Sequence, residues 1–127
     1  MSLVEKAPAE QLSLEIPQDS AHIVTARSFA GGVARALGLD EEASDALKLI
    51  LTEVCSEAIE RRRGGRIVIS LSAGTDPIRV TVAADGVLGD HVAPTYRRML
   101  IEALAPDVTF DEQEDRLRVR FTLPDNV

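Results

Sequence analysis

Apolar Leu12, Leu14 and Ile16 alternate with Ser13 and Glu15, the period of a half-buried strand, and Pro17 ends the run. Asp19 or Ser20 can then cap a helix from about Ala21 to Leu37. Its apolar residues Ile23, Ala26, Ala30, Val33 and Leu37 recur at helical spacing, and Gly38 supplies a stop. The Gly31–Gly32 pair within it costs roughly 1 kcal/mol per glycine relative to alanine, which points to close packing against a neighbour or to a kink. Asp40, Glu41 and Glu42 form a capped acidic first turn for a second helix reaching about Arg63. Ala43, Leu47, Ile50, Leu51, Val54 and Ala58 are its expected inner face. Gly64–Gly65 ends it.

The period then changes to two. Ile67, Ile69 and Leu71 share one strand face, and Ile78, Val80 and Val82 another. The turn Ala73–Pro77 between them makes an antiparallel hairpin. A loop from Asp85 to about Ala93 leads to a short helix near Pro94, with Tyr96, Met99, Leu100, Ala103 and Leu104 as its apolar stripe. Two strands follow, Val108–Phe110 and one carrying Leu117, Val119, Phe121 and Leu123, joined by an acidic turn over Asp111–Asp115. Every strand alternates, so each has one wet face, and such a sheet accepts helices on one side only. The expected fold is α+β: a two-layer α/β sandwich with a mixed, mostly antiparallel sheet. Residues 1–11 read as a flexible arm, and 12–127 as a single domain.

Composition narrows the function. Of 127 residues 45% are hydrophobic, and no apolar run approaches the roughly 20 residues that cross a bilayer. The formal net charge of −7 opposes non-specific nucleic-acid binding, and 3% aromatic residues leave no stacking platform for bases. A soluble, cytoplasmic domain without nucleic-acid or membrane partners is expected. One cysteine, Cys55, excludes an internal disulfide and a cysteine-built zinc site, and His22 and His91 lie far apart, so no metal centre is expected. Ser28, Ser44, Ser56 and Ser70 have no legible His–Asp arrangement for a hydrolase triad. Arg61, Arg62, Arg63 and Arg66 form one basic cluster, which suits either the negative end of a helix or the docking of an acidic protein.

The element order, together with the segment Leu49-Ile50-Leu51-Thr52-Glu53-Val54-Cys55-Ser56-Glu57-Ala58-Ile59-Glu60-Arg61, resembles the GHKL ATPase superfamily with its Bergerat fold. Within it the branch most similar is the anti-sigma-factor serine kinases of bacterial partner switching. The resemblance covers about residues 12–123 and implies a histidine-kinase-like ATPase domain. It places Glu53 at the catalytic base, Glu57 at the asparagine that binds magnesium, and Arg61 at a frequent histidine. Spacing of four puts all three on one helical face. Glu57 and Arg61 also suit a surface salt-bridge ladder worth a few tenths of a kcal/mol.

The family's Asp-x-Gly-x-Gly, whose Asp accepts from the adenine amino group, falls on Ala84, Asp85, Gly86, Leu88 and Gly89. Ala84 stands where the Asp belongs. Asp85, one residue later, points to the opposite face unless a bulge rotates it. The third family element is a lid and a Gly-x-Gly turn before the last helix. Here the stretch is short and holds Asp90, Val92, Ala93 and Pro94.

The reading is a serine-kinase-like anti-sigma regulatory domain with a degenerate ATP site, working by protein contact and needing no cofactor. By the resemblance its partners are a sigma factor or an anti-sigma-factor antagonist, with homodimerisation. The alternative is an active protein serine kinase using Mg-ATP through Glu53, Glu57, Asp85 and Gly86. A second alternative is a sensor or dimerisation module unrelated to sigma factors.

Overall fold

A computed structural model gives the fold and describes residues 10–61, 64–73, 77–86 and 95–123. In chain order the elements are β1 (Glu10–Pro17), a 3-10 turn (Ser20–His22), α1 (Ile23–Leu37), α2 (Glu41–Arg61), β2 (Arg66–Ala73), β3 (Ile78–Asp85), α3 (Thr95–Leu104), β4 (Thr109–Gln113) and β5 (Arg116–Leu123). The five strands lie in the order β1-β2-β3-β5-β4, and each pairing is antiparallel, so the sheet is more uniform than the mixed one expected.

The caps act as the sequence indicates. The Asp19 carboxylate accepts from the Ala21 amide at 2.8 Å, but one 3-10 turn intervenes before α1. Asp40 accepts from the Ala43 amide at 2.8 Å, satisfying one of the free donors at the start of α2. Gly38 ends α1 in the left-handed region at φ 70°, where its amide reaches the Ala34 and Arg35 carbonyls.

The helices cover one sheet face. Directly opposed residues form rows across it, such as Leu14–Ile69–Val82–Val119–Phe110, and cross-strand neighbours of this kind are the unit of sheet stabilisation. Ile69, Val82 and Val119 are at most 1% exposed. From above, Ala26, Ala30 and Val33 of α1 and Leu47, Ile50, Leu51, Val54, Cys55 and Ala58 of α2 complete the core. Burial pushes the Cys55 thiol up to about 12, leaving it neutral.

Two expectations fail here. The stripe of α3 is out of phase: Tyr96 and Met99 are 67% and 61% exposed, whereas Arg97, Ile101 and then Ala105 turn inward. Moreover, Asp111–Gln113 belong to β4 rather than to a turn, pairing with Arg118, Leu117 and Arg116. The reversal is confined to Glu114 and Asp115, with Glu114 at φ 55°.

Gly32 is the simpler half of the glycine pair, because a Cβ built there meets nothing within 4 Å. Gly32→Ala is expected to stabilise the protein by about 1 kcal/mol through helix propensity. Urea unfolding would read this as a higher midpoint at unchanged slope.

Candidate functional site

Alternation continues to the end of β4 and sets up the site. Opposed positions give the row Ile16–Ile67–Ala84–Leu117–Glu112, apolar until its last member. Glu112 therefore faces the helices from the edge strand. On α2, Glu53, Glu57 and Glu60 recur at spacings of four and three, so they form an acidic stripe on one helical face. The inward turn of α3 carries Arg97 and Arg98 into that stripe.

Among the described residues the result is a network of four carboxylates and three guanidiniums. Arg97 donates from Nε to Glu53 Oε1 at 3.2 Å and through both terminal nitrogens to Glu60 at 3.1 and 3.0 Å. Arg98 donates from Nη2 to Glu57 Oε2 at 2.8 Å and to Glu112 Oε1 at 2.9 Å. Its guanidinium lies 4.3 Å from the centroid of the Phe110 ring, a cation–π placement. Arg61 reaches Glu57 at 3.3 Å and also pairs with Glu112. Glu57 is only 1% exposed, so its pair with Arg61 is not the surface ladder of weak contacts but part of a buried cluster. Among the described residues, one Glu57 oxygen, Oε1, and the Nε atoms of Arg61 and Arg98 have no hydrogen-bond partner.

The pKa directions follow the geometry. The hydrogen bonds from Arg97 to Glu60 hold that guanidinium above its usual range against some desolvation. For Arg98 desolvation acts downward, but hydrogen bonds to Glu57 and Glu112 outweigh it. Desolvation likewise pushes Glu112 up, yet the hydrogen bond from Arg98 and the charges of Arg61 and Arg98 leave it below the usual carboxylate range.

A second set of contacts fixes the floor. Gln18, fully buried after β1, donates through Nε2 to the carbonyls of Ala58 at 2.6 Å and Asp85 at 2.7 Å. The Ala58 carbonyl is one of the last four of α2, which lack partners within the helix. A single amide thus joins the ends of β1, α2 and β3. Gly65 permits this approach, since a Cβ there would lie 2.7 Å from Gln18 Oε1 and from Asp85 Oδ2.

β3 pairs regularly through Ala84↔Leu117 and Asp85↔Arg116, without a bulge. Ala84 is accordingly buried at 1% exposure between Ile67 and Leu117. Asp85 turns to the other side, where its carboxylate accepts from the Arg66 amide at 3.2 Å. Gly86 donates to the Asp115 carbonyl at 2.7 Å and packs near Arg61.

Of the basic cluster, Arg61 points inward, its side chain 4% exposed, and so offers no docking charge. Arg66 is exposed and pairs with Glu15 at 2.9 Å. Arg62, Arg63, Leu88 and Gly89 lie outside the described residues, as do Asp90, His91, Val92, Ala93 and Pro94.

Sequence reasoning missed Gln18, Glu60, Arg97, Arg98 and Glu112. The available signal was the stripe Glu53–Glu57–Glu60, which demands cations from a neighbouring element. Among the described residues no group of three or more His, Cys, Asp or Glu side chains could hold a metal ion. Nor is any described helix long and apolar enough to cross a membrane.

These features sit on a known architecture. Residues 16–123 match the family described as histidine kinase-like ATPase domain, and the chain belongs to that family. Among solved structures it is similar to the RsbU and RsbW domains of Rv1364c from Mycobacterium tuberculosis. The TM-score is 0.76 at 18% identity, over 94% of this chain and 33% of that one. The present chain thus spans about a third of that solved chain's length. No curated protein gives a significant match.

Arg98→Ala is expected to destabilise by about 3 kcal/mol, because it leaves the buried Glu57 with only its longer contact to Arg61. Replacing Glu57 and Arg98 together by leucine should recover most of that loss in urea unfolding. The acid limb offers a separate check. Glu112 titrates lower folded than unfolded, where its pKa is about 4.3. Its contribution is therefore complete above that pH and is lost as pH falls through the folded value. Glu112→Gln should flatten the stability–pH profile on that limb.

Proposed function

We propose that this domain is a regulatory, protein-binding member of its family, of the anti-sigma serine-kinase-like type, whose nucleotide site has been given over to internal ion pairs. The observation that carries this reading is Glu57. At the position implied for magnesium binding it is a buried carboxylate engaged by Arg61 and Arg98. Magnesium prefers several oxygen ligands and retained waters, whereas two guanidiniums already sit on Glu57 Oε2, and their positive charge opposes a divalent cation beside it.

Ala84 supports the same conclusion. A purine needs an acceptor where β3 ends, and the groups flanking Ala84 are Ile67 and Leu117. Turning Asp85 inward would break its bond to the Arg66 amide and the regular register of the strand. Glu53, implied as the catalytic base, is held by Arg97. The residues present do not fit Mg-ATP.

Function then rests on surfaces. By the family resemblance the partner is a sigma factor or an anti-sigma-factor antagonist, in a cytoplasmic partner-switching circuit that includes homodimerisation. The likeness to a structure containing an RsbW domain is consistent with that setting.

Calorimetry with ATP and magnesium is expected to show no binding tighter than about 100 μM, roughly −5.5 kcal/mol. Glu53→Ala should leave capture of a sigma factor or antagonist from native extract unchanged. Tight Mg-ATP binding, or phosphate transfer to a captured antagonist that Glu53→Ala abolishes, would restore the kinase reading. Capture of neither partner class would favour the sensor or dimerisation module.

A further inference from the structure

The α1–α2 side of the helical layer carries a second charged feature, opposite in sign and in design. Arg27, Gly31 and Arg35 recur every four residues, so they share one face of α1. That face meets Lys48 of α2 around an open cleft of about 330 Å3, lined by Arg27, Ser28, Gly31, Arg35 and Lys48. Gly31 shapes its floor: a Cβ there would come within 3.3 Å of Lys48 Cε and 3.8 Å of both Lys48 Nζ and Arg35 Nη1. The mid-helix glycine, unfavourable by roughly 1 kcal/mol against alanine, keeps the space in which the cations converge.

These cations are not compensated. Arg61, Arg97 and Arg98 each have a carboxylate within ion-pair distance. Among the described residues Arg27, Arg35 and Lys48 have none, and Asp45, one turn before Lys48, is not paired with it. Three like charges around one cleft repel one another, in a chain whose 21 acidic residues could have supplied a partner. An arrangement of this kind is completed by an external anion.

The geometry points to a binding site for a small diphosphate-class anion between α1 and α2. We infer this class from charge and donor type together. Two guanidinium forks and an ammonium suit phosphate oxygens, which guanidinium binds bidentately, and the Ser28 hydroxyl adds a neutral donor. A single phosphate monoester carries about −1.5 to −2 at neutral pH, less than three cations can match, whereas two linked phosphates come closer. The inference stands apart from the reading of the α2–α3 network, since it uses neither its residues nor magnesium.

Inorganic pyrophosphate titrated into the full chain without magnesium, followed by amide NMR shifts and calorimetry, tests it. The expected result is saturation at one site, with a Kd below about 1 mM at low salt. The largest shifts should fall at Arg27, Ser28, Gly31 and Lys48, with weaker binding of inorganic phosphate. Arg35→Ala and Lys48→Ala should each weaken pyrophosphate about tenfold while leaving the thermal midpoint in place, as expected for the loss of one charge-assisted contact at a surface cleft. Three results would overturn the proposal: no saturation by about 10 mM, variants that bind like the parent, or shifts centred on Arg116, Arg118 and Arg120 of the open sheet face.

Discussion

Glu57 is a carboxylate side chain taken almost completely out of water, one turn before the C-terminal end of α2. An isolated carboxylate cannot be held so at a tolerable cost, and several kcal/mol of desolvation must be offset by partners close at hand. Arg61 comes from the same helix and Arg98 from α3, and Glu112 of β4 shares both. Satisfying one carboxylate therefore fixes the seat of α3 and the edge of the sheet together. The apolar part of α3 is small, chiefly Ile101 and the following Ala105, so direction comes from the ions more than from burial. Since well-packed apolar groups stabilise at least as well as buried ion pairs, this cluster is better understood as setting geometry than as adding stability.

The same constraint accounts for the character of the floor. Gln18 ties together three element ends by two short bonds from one nitrogen, which keeps β3 straight to its last residue. With β3 straight, Ala84 must face the core and Asp85 must face away. An acid at position 84 would enter a row whose neighbours are Ile67 and Leu117, with no donor beside it. Its burial would cost several kcal/mol unless a bound group supplied a partner. The alanine and the arginine-filled glutamates are thus mutually consistent, each removing a demand that the other could not meet.

Much of the architecture was legible because the chain's strands have one buried face, and a period of two survives any tertiary detail. Leu12–Ile16, Ile67–Leu71, Ile78–Val82 and Leu117–Leu123 all show it, and the caps Asp19 and Asp40 announce their helices through local chemistry. What pattern reading misplaced was set by partners distant in sequence. In α3 the inward positions are held partly by Arg97 and Arg98, so a rule that sends apolar residues inside rotates the helix and buries Tyr96 and Met99 instead. In β4 the residues after Phe110 are all polar, and only their backbone pairing with β5 shows them to be strand. Of the network, the α2 positions Glu53, Glu57 and Arg61 are singled out by the family resemblance, with a spacing of four placing them on one face, while the α3 arginines and Glu112 require the topology.

A formal charge of −7 says little about where charge acts. In the α2–α3 network, among the described residues, three guanidiniums offset most of the charge of four carboxylates, so that this acid presents little net field to solvent. On the α1–α2 side three cations gather around a cleft that no described carboxylate lines. Screening limits exposed charges to a reach of about 8–10 Å in physiological salt, so a ligand there responds to the cleft rather than to the whole chain. An acidic protein can in this way hold a local electropositive site. Its helical layer then has two poles, one in which arginines close a site from within and one in which they leave it open.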